Sequence, residues 1–166
     1  MNKAVLRAYD FLKYLTPLET DCGELCNKRC CRQDDMGMLL FPGEEQLFLG
    51  DADYSVKKDS SGRSVLFCNG MCERKKRPLS CRIYPLFPYT YEEYGKIKQK
   101  VIYDLRGINS CEIVSEHIKV RRKFVYGVRK AGKALLRDEK CKEMLLEISR
   151  EIDDIIKINE DIGGIR

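Results

Sequence analysis

The sequence predicts an α+β fold: a small cysteine-rich core carrying short β-hairpins, followed by a C-terminal α-helical hairpin. Three features carry that expectation. Seven of the nine cysteines crowd into two groups, Cys22 to Cys31 and Cys68 to Cys81. Between residues 54 and 105 short β-rich runs are separated by turn residues. From Glu112 onward apolar residues recur with a helical period. The expected division is 1–111, an N-terminal helix and a cysteine-cluster unit, and 112–166, a helical extension packed on it.

The elements follow in order. Val5, Leu6, Tyr9, Leu12 and then Tyr14 or Leu15 can share one stripe of a helix over 3–15. Thr16-Pro17 closes it, because a residue before proline is pushed out of the helical region. Asp21 stands where an N-cap belongs, ahead of the first cysteines. Met38 to Phe41 is a short apolar run stopped by Pro42-Gly43, and Glu44-Glu45 opens a short helix through Leu49, acids suiting a first turn. Residues 54–68 read as a hairpin around Asp59-Ser60-Ser61-Gly62, with Cys68 at the end of its second strand. A second β pair is expected from Leu86 to Tyr91 and from Ile97 to Leu105. One amphipathic helix should hold Ile113 to Val128, and another Met144 to Ile156.

Charge is modest at +5, which permits an acidic partner without demanding one. It is unevenly spread: residues 119–137 hold eight Lys or Arg and no acid, whereas 138–161 are dominated by acids. A helical hairpin with complementary faces accounts for this, and an acidic protein partner for the basic segment is the second account. Nucleic acid is disfavoured as a partner, on the expectation that no aromatic interleaving accompanies the basic residues. Residues 1–14 carry Lys3, Arg7, Asp10 and Lys13, so they lack the apolar core of a secretory leader. No run approaches the roughly 20 apolar residues of a membrane span. A cytoplasmic protein, with no membrane partner, is the expectation.

Clustered cysteines in a reducing compartment point to metal ligands or catalytic thiols, not disulfides. The first group reads Cys22-x3-Cys26-x3-Cys30-Cys31. On a helix Cys22, Cys26 and Cys30 would share a face, with Cys31 turned about 100° away. Either the chain bends at Cys30 so that all four thiols meet one centre, or Cys30 and Cys31 serve different centres. The second group, Cys68-x3-Cys72, is a turn-forming loop, followed by Arg74, Lys75, Lys76 and Arg77 and then by Cys81-Arg82. Cationic neighbours stabilise thiolates. Soft thiolate donors exclude magnesium and calcium and favour zinc, an iron–sulfur cluster or copper(I). Seven clustered thiols exceed one four-ligand site, and Cys111 would complete two sets of four. Cys141 reads as a bystander in an apolar helix. The gaps do not match the Cys-x3-Cys-x2-Cys of radical enzymes.

Cys22, Cys26 and Cys30-Cys31, then Cys68, Cys72 and the string Arg77-Pro78-Leu79-Ser80-Cys81-Arg82-Ile83-Tyr84-Pro85, resemble the YkgJ-type cysteine-cluster family, a family of zinc- or iron-chelating domains. The resemblance covers roughly residues 20–112. It implies metal ligation by Cys22, Cys26, Cys30, Cys31, Cys68, Cys72 and Cys81, and it places the family's late cysteine on Cys111. The family's nominal Cys-x2-Cys-x2-Cys-Cys has shorter gaps than this chain. Flagellin lysine N-methylases carry a similar region within a longer chain.

The expected function is therefore a metal-binding cysteine-cluster protein holding zinc or iron–sulfur, in one or two centres, with a structural or redox role. A lysine N-methylase-like protein-modifying enzyme is an alternative, although no Gly-rich strand-to-helix turn offers a methyl-donor site. A metal-stabilised interaction module is another. His117 beside Glu116 reads as a helix-surface residue, Glu44 and Glu45 as helix-start acids, and Tyr84, Tyr89 and Tyr91 as packing residues.

Overall fold

A computed structural model of the chain describes residues 2–31, 37–68 and 73–161. The fold is α+β, as the patterning predicts, with a C-terminal helical region. Helix α1 (Lys3–Leu12) starts where the Asn2 side chain accepts from Ala4 N at 2.8 Å, and it buries Ala4, Val5, Ala8 and Leu12. Asp21 caps α2 (Cys22–Leu25), its Oδ1 accepting from Gly23 N.

Strands β1 (Met38–Leu39), β2 (Tyr54–Lys58) and β3 (Ser64–Cys68) form an antiparallel sheet in the order β1-β3-β2. Asp59 fixes the β2–β3 turn by accepting from Ser61 N and Arg63 N, the short-range bonding that makes Asp a turn residue. A satellite core of Leu40, Phe48 and Leu66 lies under this sheet.

Helix α3 (Leu79–Ile83) leads into the hairpin of β4 (Leu86–Glu93) and β5 (Lys96–Tyr103), registered from Leu86↔Tyr103 to Glu93↔Lys96. Its two-residue turn, Tyr94-Gly95, has φ of 52° and 70°, the left-handed pair that matches strand twist in tight hairpins.

The region expected as one helix from Ile113 to Val128 is broken. Helix α4 (Glu112–Ser115) stops at once, and His117 takes a φ of 50°. Arg121 N then donates to Pro17 O at 2.9 Å, holding the chain extended before α5 (Arg122–Leu135). His117 thus sits in an exposed turn, edge-on to Tyr103, and not on a helix.

Helix α5 packs mainly on α1 and on the β4–β5 hairpin, while α6 (Glu139–Asp161) packs mainly on β4. The α1–α5 crossing is close because Gly127 has no side chain: a Cβ there would overlap Leu15 and stand 3.2 Å from Phe11 O. Thr90 N donates to Ser149 Oγ at 2.8 Å and Tyr89 Oη to Asp153 at 2.7 Å, tying β4 to α6. One apolar core runs from Val5, Leu12 and Phe41 through Leu79, Ile83 and Phe87 to Phe124, Leu135, Leu145 and Ile152, crossing the 111/112 boundary without a break.

The two charged segments do not neutralise each other as a complementary hairpin would. The acids of α6 pair elsewhere, Glu151 with Arg63 at 2.5 Å and Glu147 and Glu151 with Arg63 and Arg106 at 3.9 Å. Among the described residues none of the eight cations of 119–137 forms an ion pair, and all eight are exposed. No helix among the described residues is long and apolar enough to cross a membrane.

Candidate metal centre

The first cysteine group does not form the continuous helix on which a shared face would depend. Helix α2 ends at Leu25, Cys26 is its C-cap, and Asn27 and Lys28 take φ of 50° and 56°. Two consecutive left-handed residues reverse the chain, and a short 3-10 turn over Arg29–Cys31 follows. The chain therefore bends after Cys26, four residues before the expected point. Cys22, Cys26 and Cys30 lie half-buried along this bend.

That bend is met by a thiol from far along the chain. Cys111 is the buried N-cap residue of α4, and the Cys22 thiol senses it directly. Burial pushes the Cys22 thiol up to about 11, with Asp21, Cys111 and Cys26 adding to the rise and Arg77 opposing it. Cys30 and Cys111 both border the Tyr84 phenol, which burial and then Cys111 push well above its ordinary range. Cys22, Cys26, Cys30 and Cys111 thus occupy one neighbourhood, built from α2, the 3-10 turn and the start of α4.

Around these thiols stand hydrogen-bond donors without acceptors. Among the described residues Arg74 Nε and Nη2 are buried with no acceptor, and Arg74 lies within electrostatic reach of Cys22, Asp21, Arg77 and Arg82. Burial and then Arg77 lower its pKa, since a desolvated cation beside another cation is disfavoured. Arg77 is bound to Asp21, with Nη2 to Oδ2 at 2.8 Å and Nη1 to Oδ1 at 3.3 Å. The buried Tyr84 hydroxyl lies beside Ser110 and Cys111, but neither completes a hydrogen bond with it. Gly107 makes the room for this ring, since a Cβ there would collide with the phenol. In the sequence Arg74 is one cation among many, and Tyr84 reads as a packing residue. The only signal for Tyr84 was its place in the Arg-Pro-x-x-Cys-Arg-x-Tyr-Pro string.

The second group is described in part. Cys68 ends β3 and is exposed. Cys81, half-buried on α3, is close enough to influence the Tyr9 phenol. Cys72 lies outside the described residues, as does the side chain of Cys31. Among the described residues no three of His, Cys, Asp and Glu are close enough to hold an ion as they stand. Cys141 is fully buried in α6, within the main core.

Glu44 is not a surface acid at a helix start. It is fully buried, and its carboxylate joins three elements: Leu79 N donates to Oε1 at 2.6 Å, Phe41 N to Oε2 at 2.8 Å, and the Tyr9 hydroxyl to Oε1. Burial pushes its carboxyl up, against those donors and the nearby Arg82. Arg82 itself stacks 4.4 Å over the Tyr9 ring and gives Nε and Nη2 to the carbonyls of Arg77 and Lys75. This cluster fixes the basic loop before Cys81. Two adjacent acids in the sequence gave no sign of which one would be buried.

Comparison with protein-family models, with curated proteins and with solved structures finds no match.

Proposed function

We propose that this chain is a metal-binding cysteine-cluster protein of the YkgJ type, holding zinc or an iron–sulfur cluster through thiolates. In this reading Cys22, Cys26, Cys30 and Cys111 would serve one centre, with Cys31, Cys68, Cys72 and Cys81 as the further ligands of the same or a second centre. The observation that carries this reading is Arg74. Its guanidinium has two buried N–H groups without an acceptor among the described residues, which is costly unless a negative charge stands opposite. Thiolates holding a metal supply that charge, and the Tyr84 hydroxyl is a second donor suited to a thiolate sulfur.

Sulfur donors fit zinc and iron–sulfur chemistry in kind. Bound there, zinc would cross-link the loops, and a cluster would add electron transfer. The chain's own part is to hold the bend at Asn27-Lys28, to bring α4 against it, and to keep the Arg74 side of the thiols out of bulk water. Anaerobic purification followed by metal and sulfide analysis tests the reading. Stoichiometric zinc, or iron with inorganic sulfide, is expected. A folded protein that takes up neither under reducing conditions would overturn it.

A further inference from the structure

The eight cations of residues 119–137 are exposed and, among the described residues, none is paired with an acid, so their charge is directed outward. On α5, Arg122, Tyr126, Arg129, Lys130 and Lys133 fall within one stripe of the helix. The opposite stripe, Phe124, Val128, Ala131 and Leu135, is buried in the core. Such a helix has no free apolar face to lay into a lipid surface.

Phe124 and Tyr126 stand among the cations in the sequence, contrary to the expectation of no aromatic interleaving, and the fold turns Tyr126 outward and Phe124 into the core. The α1–α5 crossing sets Phe11 beside the basic stripe, and Lys130 Nζ lies 5.4 Å from the Phe11 ring centroid and 4.7 Å from that of Tyr126. Tyr14, at the same end of α1, is 82% exposed and has Lys13 Nζ 5.2 Å from its centroid. Tyr126 is 58% exposed and Phe11 37%. Aromatic rings do interleave the cations, in space.

We propose that the outer face of α5, with the adjoining end of α1, binds single-stranded nucleic acid. The cations track the phosphates and the exposed rings of Tyr126, Phe11 and Tyr14 stack on unpaired bases, the pairing of charge and π-face that sequence-tolerant single-strand binders use. A duplex keeps its bases stacked and leaves the rings idle. An acidic peptide would meet the charges but has no planar groups for the rings. From Arg122 to Lys133 the helix runs about 16 Å, enough to follow several phosphates.

Fluorescence anisotropy of the full chain with labelled oligo-dT, oligo-U and a blunt duplex of equal length tests this. Both single strands should bind more tightly than the duplex. The affinity should fall with salt at a logarithmic slope of about −2 to −3, about 0.7 for each phosphate met. Tyr126→Ala should weaken binding about tenfold, while Tyr126→Phe binds like the parent. Replacing Arg129 and Lys133 together by Gln should flatten the slope by about 1.4. Thermal unfolding confirms that each variant folds, as substitutions of exposed residues should. Equal affinity for the duplex, or no binding at low salt, overturns the proposal. Polyglutamate displacing the oligonucleotide with Tyr126→Ala unaffected also overturns it, and assigns the face to an acidic protein.

Discussion

Cys22 and Cys141 are both drawn in from solvent, yet their surroundings differ in kind. Cys141 has no exposed surface; its neighbours are core side chains, with the Asn2 amide 3.6 Å from its sulfur and Asp138 accepting from its backbone N–H at 3.0 Å. Burial and Asp138 push its thiol well above the ordinary range. Cys22 also has its pKa raised by burial, but its neighbours include Arg74, Arg77 and two further thiols. Burial alone therefore does not mark a ligand. The proposed mark of a ligand is a cation without an acceptor among the described residues beside several thiols from separate segments.

The difference should be largest in metal content. Cys22→Ala should release the metal and, for metal present at about a thousandfold its dissociation constant, cost about 4 kcal/mol in urea unfolding. Cys81→Ala sharpens the picture. If the molar metal content falls only in part in each single variant, two centres are present; if each empties the protein, one centre joins both groups. Full metal retention in Cys22→Ala would place Cys22 with Cys141 as a core thiol.

Much of the frame was legible in the sequence because it rests on local patterns. The Asp21 cap, both hairpins and the apolar periods of α1 and α6 are short-range signals, and the structure carries each of them. What the sequence did not show depends on long-range meetings. The bend at Asn27-Lys28 pairs Asn, which tolerates the left-handed region, with Lys, which does not favour it, so the sequence offered only a weak turn signal. Arg121 begins α5 with no capping side chain, and its anchor, Pro17 O, is about a hundred residues away. The charge blocks of 119–137 and 138–161 looked complementary, yet the acids of α6 meet Arg63 and Arg106 instead. Of the eight thiols expected as ligands, Cys111 and Cys26 influence the Cys22 thiol and Cys30 and Cys111 the Tyr84 phenol, yet among the described residues no three candidate donors stand close enough to hold an ion. The spacing of the first group alone could not name Cys111 as its partner.

Gly107→Ala probes the hydroxyl side of the same neighbourhood. The added Cβ meets the Tyr84 ring, and overpacking of this kind costs about 1–3 kcal/mol. Because the displaced ring borders Cys30 and Cys111, weaker metal retention against a chelator should accompany the loss of stability. Loss of stability with unchanged chelator resistance would leave Tyr84 as a packing residue and narrow the contrast with Cys141.

Arg74→Met gives a smaller effect, and its sign depends on the metal. Without metal the substitution removes a buried guanidinium whose Nε and Nη2 lack acceptors, so the apoprotein should gain about 1–2 kcal/mol. With metal bound it removes the charge that balances the thiolates, so the loaded protein should lose stability. Paired urea titrations of apo and loaded protein read that inversion directly. The same sign in both states would mean that Arg74 does not face the thiolate charge.

Cys141→Ala should give the smallest change and completes the comparison from the other side. The residue is closely surrounded, so deleting its sulfur leaves a small void, worth about 1 kcal/mol by the usual cost of lost core volume. The Asn2 amide loses only a weak sulfur acceptor, while its carbonyl still caps Ala4 N and α1 stays anchored. Metal content should equal that of the parent, because no basic side chain figures among the influences on this thiol, which are burial, Asp138 and Glu44. A metal analysis showing loss in Cys141→Ala would break the contrast outright: a thiol deep in an apolar core would then be a ligand, and the cations beside Cys22 would no longer distinguish the centre from the core.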